Sequence, residues 1–229
     1  IEFKNVSFAY KERSILKNLS FTINHGETVL IMGPTGQGKS TIAKLLLRLY
    51  DPTEGQIYIH QMNLKQISFQ SLSESMGWVP QESYLLNDTI ENNLKFVQPN
   101  ASQKELEEAL DYACLLDFIT KLSQGLQSPV GNRGLKLSGG EKQRLSLARL
   151  FLKKPSIGIF DEATSFLDRN TELMIQDNIN HFFPNMTRII ITHRPFMMEK
   201  AHQVINLDKR RQKIIHNNTH SETKRINFN

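Results

Sequence analysis

The sequence predicts an α/β domain, with a parallel sheet and a helical lobe inserted into it. Three observations carry this. Apolar strand-like segments at 27–32 and 157–160 each end directly on chemistry-bearing residues. Helical patterns follow such strands, as buried parallel sheets require. A long stretch from about 89 to 154 is helical in character and separates two sets of candidate site residues.

In chain order, residues 6–10 and 19–23 alternate roughly as strands, and 27–32 form a mostly apolar strand ending on glycine. Residues 41–50 have apolar side chains around most of a helix, which Asp51-Pro52 stops. Strand returns at 55–59, and 68–80 hold a helix-like piece and a short strand at 77–79. Over 104–113 the apolar stripe is Leu106, Ala109, Leu110 and Ala113. A second helix is expected from 138 to about 152. Ser138 caps it, Glu141 three residues on completes a capping box, and Lys153-Lys154-Pro155 ends it. Strands return at 157–160 and 188–191. Residues 204–207 and 213–215 read as a hairpin whose turn holds Lys209-Arg210-Arg211, and the polar sequence after His216 reads as a frayed tail.

The 229 residues suffice for one medium domain without disulfides or a structural metal. Hydrophobic residues at 39% and charged residues at 22% are the mixture of a soluble globular protein. No run of 18 apolar residues occurs, so nothing here is a membrane-spanning helix, and Ile1 opens no secretory pattern. A start without Met, on a strand-like segment, reads as a fragment of a longer chain whose other part could hold membrane segments. Cys114, alone between apolar neighbours in a helical stretch, reads as core filler. The net charge of +5 is scattered, so nucleic-acid binding is not expected.

Gly33-Pro34-Thr35-Gly36-Gln37-Gly38-Lys39-Ser40 matches a phosphate-binding loop between a strand and a helix. Its glycines let backbone N–H groups curl around phosphates. Lys39 is expected at the β- and γ-phosphates of a nucleotide, the Ser40 hydroxyl on Mg²⁺, and Thr41 at the α-phosphate. The helix opening there directs its positive end at the anion. Ile157-Gly158-Ile159-Phe160-Asp161-Glu162 is an apolar strand tipped by two carboxylates. Asp161 is suited to hold Mg²⁺ through water and Glu162 to polarise an attacking water. Leu137-Ser138-Gly139-Gly140-Glu141-Lys142-Gln143-Arg144 places two glycines at a helix start, where they weaken the helix. Close approach of an anion to the Ser138 hydroxyl and the free N–H groups would explain them.

This last stretch resembles the signature of ABC transporters, and the whole chain is similar to the nucleotide-binding domain of exporter-type ABC proteins. The resemblance implies a P-loop NTPase (RecA-like) core at about 1–86 and 156–216, with an antiparallel β subdomain. It also implies a helical subdomain at about 87–155, leaving the tail 217–229. It assigns Tyr10 to stacking on adenine, and Gln81 to Mg²⁺, water and the transmembrane coupling surface. Asp168 closes the D-loop Ser165-Phe166-Leu167-Asp168, where the family more often has Ala second, and His193 matches the switch histidine at the γ-phosphate. Val130-Gly131-Asn132-Arg133-Gly134 and Trp78-Val79-Pro80-Gln81-Glu82 resemble exporters more than importers. Pro129 and Asn132 stand where acidic residues are common, and Arg194-Pro195 replaces the usual Arg-Leu.

The implied function is ATP hydrolysis driving export across a membrane, from its cytoplasmic face. The implied partners are a second such domain, in a homo- or heterodimer, and a transmembrane domain on the same parent chain. The domains pack head to tail, so Ser138, Gly139, Gly140 and Glu141 serve the partner's ATP, consistent with a helix start that has no evident anion of its own chain. An importer subunit or a soluble ABC ATPase is the alternative.

Overall fold

The computed structural model describes residues 1–193, 201–208 and 213–216, the last as backbone only. In chain order the elements are β1 (Glu2–Tyr10), β2 (Arg13–Thr22), β3 (Thr28–Met32), α1 (Lys39–Leu46), β4 (Glu54–Ile59) and β5 (Met62–Asn63). Next come α2 (Phe69–Ser75), β6 (Met76–Val79), α3 (Ile90–Lys95), α4 (Gln103–Tyr112) and α5 (Leu116–Thr120). Then follow α6 (Gly139–Lys153), β7 (Ile157–Asp161), α7 (Arg169–Phe182), β8 (Thr187–Ile191), β9 (Gln203–Asn206) and β10 (Lys213–His216). The chain forms two compact units, one from Ile1–Ile67 with the described residues from Thr187 onward, the other Ser68–Met186. The helical lobe expected at about 87–155 lies within the second.

In the first unit, β2-β1-β4-β5 make an antiparallel sheet. Alternation on β1 and β2 buries Phe3, Val6, Phe8, Leu19 and Phe21, and the Phe3 and Phe21 rings stack at 4.4 Å. Strand β3 pairs in parallel with both β8 and β9. Flanked on both edges, its Val29, Leu30 and Ile31 are fully buried, which is why this strand reads as an unbroken apolar run. The expected hairpin is β9 with β10, paired antiparallel. Its Lys209-Arg210-Arg211 turn and the tail after His216 lie outside the described residues.

Helix α1 ends at Leu46, four residues short of the expected Tyr50. Arg48 adopts φ +53° and donates its N–H to Leu45 O, while Leu49 N–H reaches back to Lys44 O at 2.9 Å. This is a Schellman stop with arginine in the position usually held by glycine. The Arg48 guanidinium donates to Ile67 O at 2.8 Å, anchoring that strained residue.

In the second unit, β6 and β7 pair in parallel, with Gly77 opposite Gly158. A Cβ on Gly77 would lie 2.3 Å from Leu150 Cδ1, so α6 sits directly on β6. Rings of Tyr112, Phe151, Phe182 and Phe183 join α4, α6 and the end of α7. The α4 stripe is buried as expected. Cys114 is not in a helix: it turns at φ +55° between α4 and α5, half-buried, and burial raises its thiol pKa. Helix α7 was not foreseen. Asp168 caps it, and its buried face carries Glu172 beside Ile175 and Ile179, which weakens the apolar period.

Candidate functional site

The phosphate loop lies in the first unit. β3 delivers Gly33 at its tip, and Pro34, Thr35 and Gly36 are exposed. Gly38 caps α1 in the left-handed region at φ +91°, with no side-chain cap and no acidic residue in the first turn. A Cβ there would lie 2.8 Å from both Ile15 and Leu16 side chains, so glycine is required by conformation and by space. Lys39 opens the helix, and its buried ammonium donates to Gly33 O at 2.7 Å and Pro34 O at 3.0 Å, bracing the loop. Ser40 is half-buried and Thr41 buried on the same turn, and Gln37 N–H donates weakly to Pro34 O at 3.4 Å. No side chain caps this first turn, and a helix N-terminus beside a lysine is an arrangement suited to an oxyanion. Tyr10, at the end of β1, packs edge-on to Phe8 at 4.8 Å and to Tyr50 at 5.2 Å, with Lys44 Nζ 6.0 Å from its ring centre. His193 stands exposed two residues past β8.

In the second unit, Asp161 ends β7 and is 5% exposed. Glu162 follows at φ +48°, rare for a side-chain-bearing residue. Its Oε2 accepts from Gln81 Nε2 at 2.8 Å, across 81 residues of chain. The structure thus joins two candidates that the sequence placed separately.

Helix α6 starts with the capping box its sequence implies. Ser138 Oγ accepts from Glu141 N–H at 3.3 Å, and Glu141 Oε2 accepts from Ser138 N–H at 2.7 Å. One expectation is corrected here. The terminus does have an anion of its own chain, the Glu141 carboxylate, which is engaged by the cap. The glycines also have a reason within the chain: a Cβ on Gly139 would lie 3.2 Å from the Phe166 ring, and one on Gly140 3.2 Å from Phe166 O. Asp168, expected at nucleotide, caps α7, its carboxylate accepting from Asn170 N–H, Thr171 N–H and the Thr171 hydroxyl. The Thr171 hydroxyl, then these backbone donors, hold its pKa below the ordinary aspartate value.

Sequence reasoning assigned no role to three residues that hold this region. Gln143 is 1% exposed and bonds to Glu162, Ser165 and Phe166. Asn93, wholly buried, donates to Leu86 O and Thr89 O and accepts from Leu86 N–H. Arg149 donates to Asn93 Oδ1, Asn93 O and Tyr84 O, fastening the segment after Gln81 onto α6; burial lowers its pKa to about 10. Only an unexplained polar residue inside an apolar helix face could have signalled them.

For Mg²⁺, Ser40, Asp161 and Gln81 offer hard oxygen donors. Among the described residues there is no group of three or more His, Cys, Asp or Glu that could hold a metal. Mg²⁺ takes one or two protein oxygens beside phosphate and water.

The family described as ABC transporter matches residues 16–165. An ATM1-type heavy metal exporter of Novosphingobium aromaticivorans is 45% identical over 212 residues, covering 92% of this chain and 35% of that protein. The mitochondrial iron-sulfur clusters transporter ATM1 of Candida glabrata is 44% identical, covering 91% of this chain and 29% of that protein. Heavy metal tolerance factor 1 of Caenorhabditis elegans is 42% identical, with 91% and 26% covered. The chain therefore spans about a third or less of these relatives. A solved bacterial Atm1-family ABC exporter with ATP bound superposes with a TM-score of 0.88 at 44% identity, covering 92% of this chain and 37% of that chain.

Proposed function

The chain belongs to the ABC transporter family as a nucleotide-binding ATPase domain, and from that premise we propose that it hydrolyses ATP with Mg²⁺ to drive export. The observation that carries the proposal is the start of α1. A left-handed glycine, an uncapped helix terminus and a lysine braced on its own loop form one anion-binding turn. Export is supported by a relative named as a heavy metal exporter, and with a second named as an iron–sulfur clusters transporter, metal-containing species are the cargo class we assign. The machine is a dimer of such domains joined to transmembrane domains on the parent chain, working at the cytosol- or matrix-facing surface of a membrane. Nucleic acid is not a partner. The core at about 1–86 and 156–216 carries the nucleotide, and the lobe at about 87–155 carries the signature.

The loop N–H groups and Lys39 bind the phosphates, with Thr41 at the α-phosphate and Tyr10 against adenine. Ser40, Asp161 and Gln81 would hold Mg²⁺, which when bound neutralises charge on the phosphate oxygens. Glu162, oriented by Gln81, accepts a hydrogen bond from the attacking water and directs it at the γ-phosphate, which His193 contacts. Ser138, Gly139 and Gly140 close over the partner's ATP, and Asp168 lines the same junction.

Calorimetry with ATP and Mg²⁺ tests this. Lys39→Ala should weaken ATP binding about 10- to 100-fold, since it removes charge-assisted bonds. Unchanged affinity would overturn the reading. Glu162→Gln should bind ATP normally, lose about 10²–10⁴-fold in kcat, and accumulate as an ATP-bound dimer. Chromatography showing only monomer would remove the dimer from the proposal.

A further inference from the structure

Gln143 is the fifth residue of α6 and is 1% exposed. A buried carboxamide is unfavourable unless its polar atoms are bonded. Here both ends are used. Nε2 donates to Glu162 O at 3.1 Å and to Ser165 Oγ at 2.9 Å, and Oε1 accepts from Phe166 N–H at 3.0 Å. All three partners lie in one short turn after β7, and none lies on the glutamine's own helix.

That turn begins with a strained residue. Glu162 at φ +48° sits where a side chain is disfavoured by about 1–2 kcal/mol, so surrounding contacts must hold it there. Its carbonyl is fixed twice, by Gln143 and by Ser165 N–H at 3.0 Å. Fixing the carbonyl fixes ψ, and with φ this sets the direction in which the carboxylate leaves the backbone. The first turn of α6 meets the same segment, through Gly139 and Gly140 against Phe166. Gln143 is therefore the pin between the glycine-containing helix start and the carboxylate.

We propose that Gln143 is a positioning residue for Glu162, holding the strained turn so that displacement of the first turn of α6 changes the aim of the carboxylate. The assignment rests on the reading of Glu162 as the group that orients water. A residue that merely filled the core would affect folding alone. A positioning residue affects kcat and leaves ATP affinity in place.

The test compares the unmodified chain with Gln143→Leu and Gln143→Glu. Gln143→Leu removes all three bonds at similar volume, and kcat should fall about 10- to 100-fold with KM for ATP changed less than about 3-fold. Gln143→Glu keeps an acceptor for Phe166 N–H and loses the amide N–H donors that reach Glu162 O and Ser165 Oγ. It should keep slow hydrogen exchange at the Phe166 amide while kcat still falls, and it carries the test if the leucine variant does not fold. An unchanged kcat in either folded variant, or a loss confined to KM, overturns the proposal. Rapid exchange of the Phe166 amide in the unmodified chain overturns it independently of ATP. An unmodified chain that binds ATP without turnover overturns the functional reading first, which separates that failure from this one.

Discussion

Two helices here begin beside glycines at places read as nucleotide-binding, and they begin in different ways. Helix α1 starts from left-handed Gly38, without a side-chain cap and without an acidic residue in its first turn. Helix α6 starts from Ser138 with a complete capping box and the Glu141 carboxylate at its N–H groups. Both begin at the positive end of a helix, but only α6 is closed by a side-chain cap. The α6 turn is thus held by its own side chains, whereas the α1 turn rests on a left-handed glycine and the Lys39 brace. The glycines differ as well. Gly38 is demanded by φ and by packing, while Gly139 and Gly140 yield space to Phe166.

The largest test of this difference is functional. Ser138→Arg should leave ATP binding by the monomer nearly intact, because the α1 turn supplies that binding. It should abolish ATP-dependent dimerisation and hydrolysis. Mixed with Lys39→Ala protein, it should regain some hydrolysis, since one junction of the mixed dimer then has an intact loop and an intact signature. ATPase rate against mixing ratio measures this. Ser138→Arg monomers that stay folded but fail to bind ATP would mean that both helix starts serve one nucleotide within one chain.

Next in size is Gly38→Ala. A left-handed alanine is unfavourable by about 1–2 kcal/mol and crowding against Ile15 and Leu16 by about 1–3 kcal/mol. Thermal denaturation should show the midpoint falling by roughly 5–15 °C. An unchanged midpoint would show that the loop adapts and that its geometry is not dictated by glycine. Ser138→Ala should remove about 1 kcal/mol through loss of the cap, lowering Tm by about 2–4 °C. At α1 no comparable side-chain cap exists to delete.

The cap of α7 gives a pH-dependent counterpart. Hydrogen bonds hold the Asp168 pKa below its unfolded value. Its contribution is therefore complete above the ordinary aspartate pKa and is lost as pH falls through the lowered folded value. Asp168→Asn should flatten that part of the acid stability profile. An identical profile would mean the cap does not titrate with folding.

What was legible in the sequence was what local chemistry dictates. The α6 capping box involves residues three apart, and both its bonds form. The strand cores and the α4 stripe follow period and burial. The end of α1 was misplaced because its Schellman stop uses Arg48, which carries no turn signal, in place of glycine. Helix α7 was missed because buried Glu172 interrupts its apolar face. Gln143 and Arg149 were silent because their partners lie 19–23 and 56–65 residues away. The Gln81–Glu162 contact spans 81 residues and was not legible in the sequence, where the two residues were placed separately.

The smallest effect is the most discriminating. Gly139 is the first helical residue of α6, and its φ is not positive, so alanine meets no backbone penalty there. Alanine favours helix over glycine by up to about 1 kcal/mol, less in the first turn. Against this stands the Phe166 ring, 3.2 Å from the added carbon but 64% exposed and able to swing away. Gly139→Ala should therefore change stability by less than about 0.5 kcal/mol, opposite in character to Gly38→Ala. Phe166→Ala removes the obstructing ring, and in that background Gly139→Ala should become stabilising by about 0.5 kcal/mol, a coupling that denaturant titration of the four proteins measures. Hydrolysis then separates the two explanations of the glycine. If its purpose is to make room for Phe166, turnover lost in Gly139→Ala returns in the double variant. If its purpose is close approach of the partner's nucleotide, the added methyl blocks turnover whether or not the ring is present, and the double variant stays inactive despite being the more stable protein.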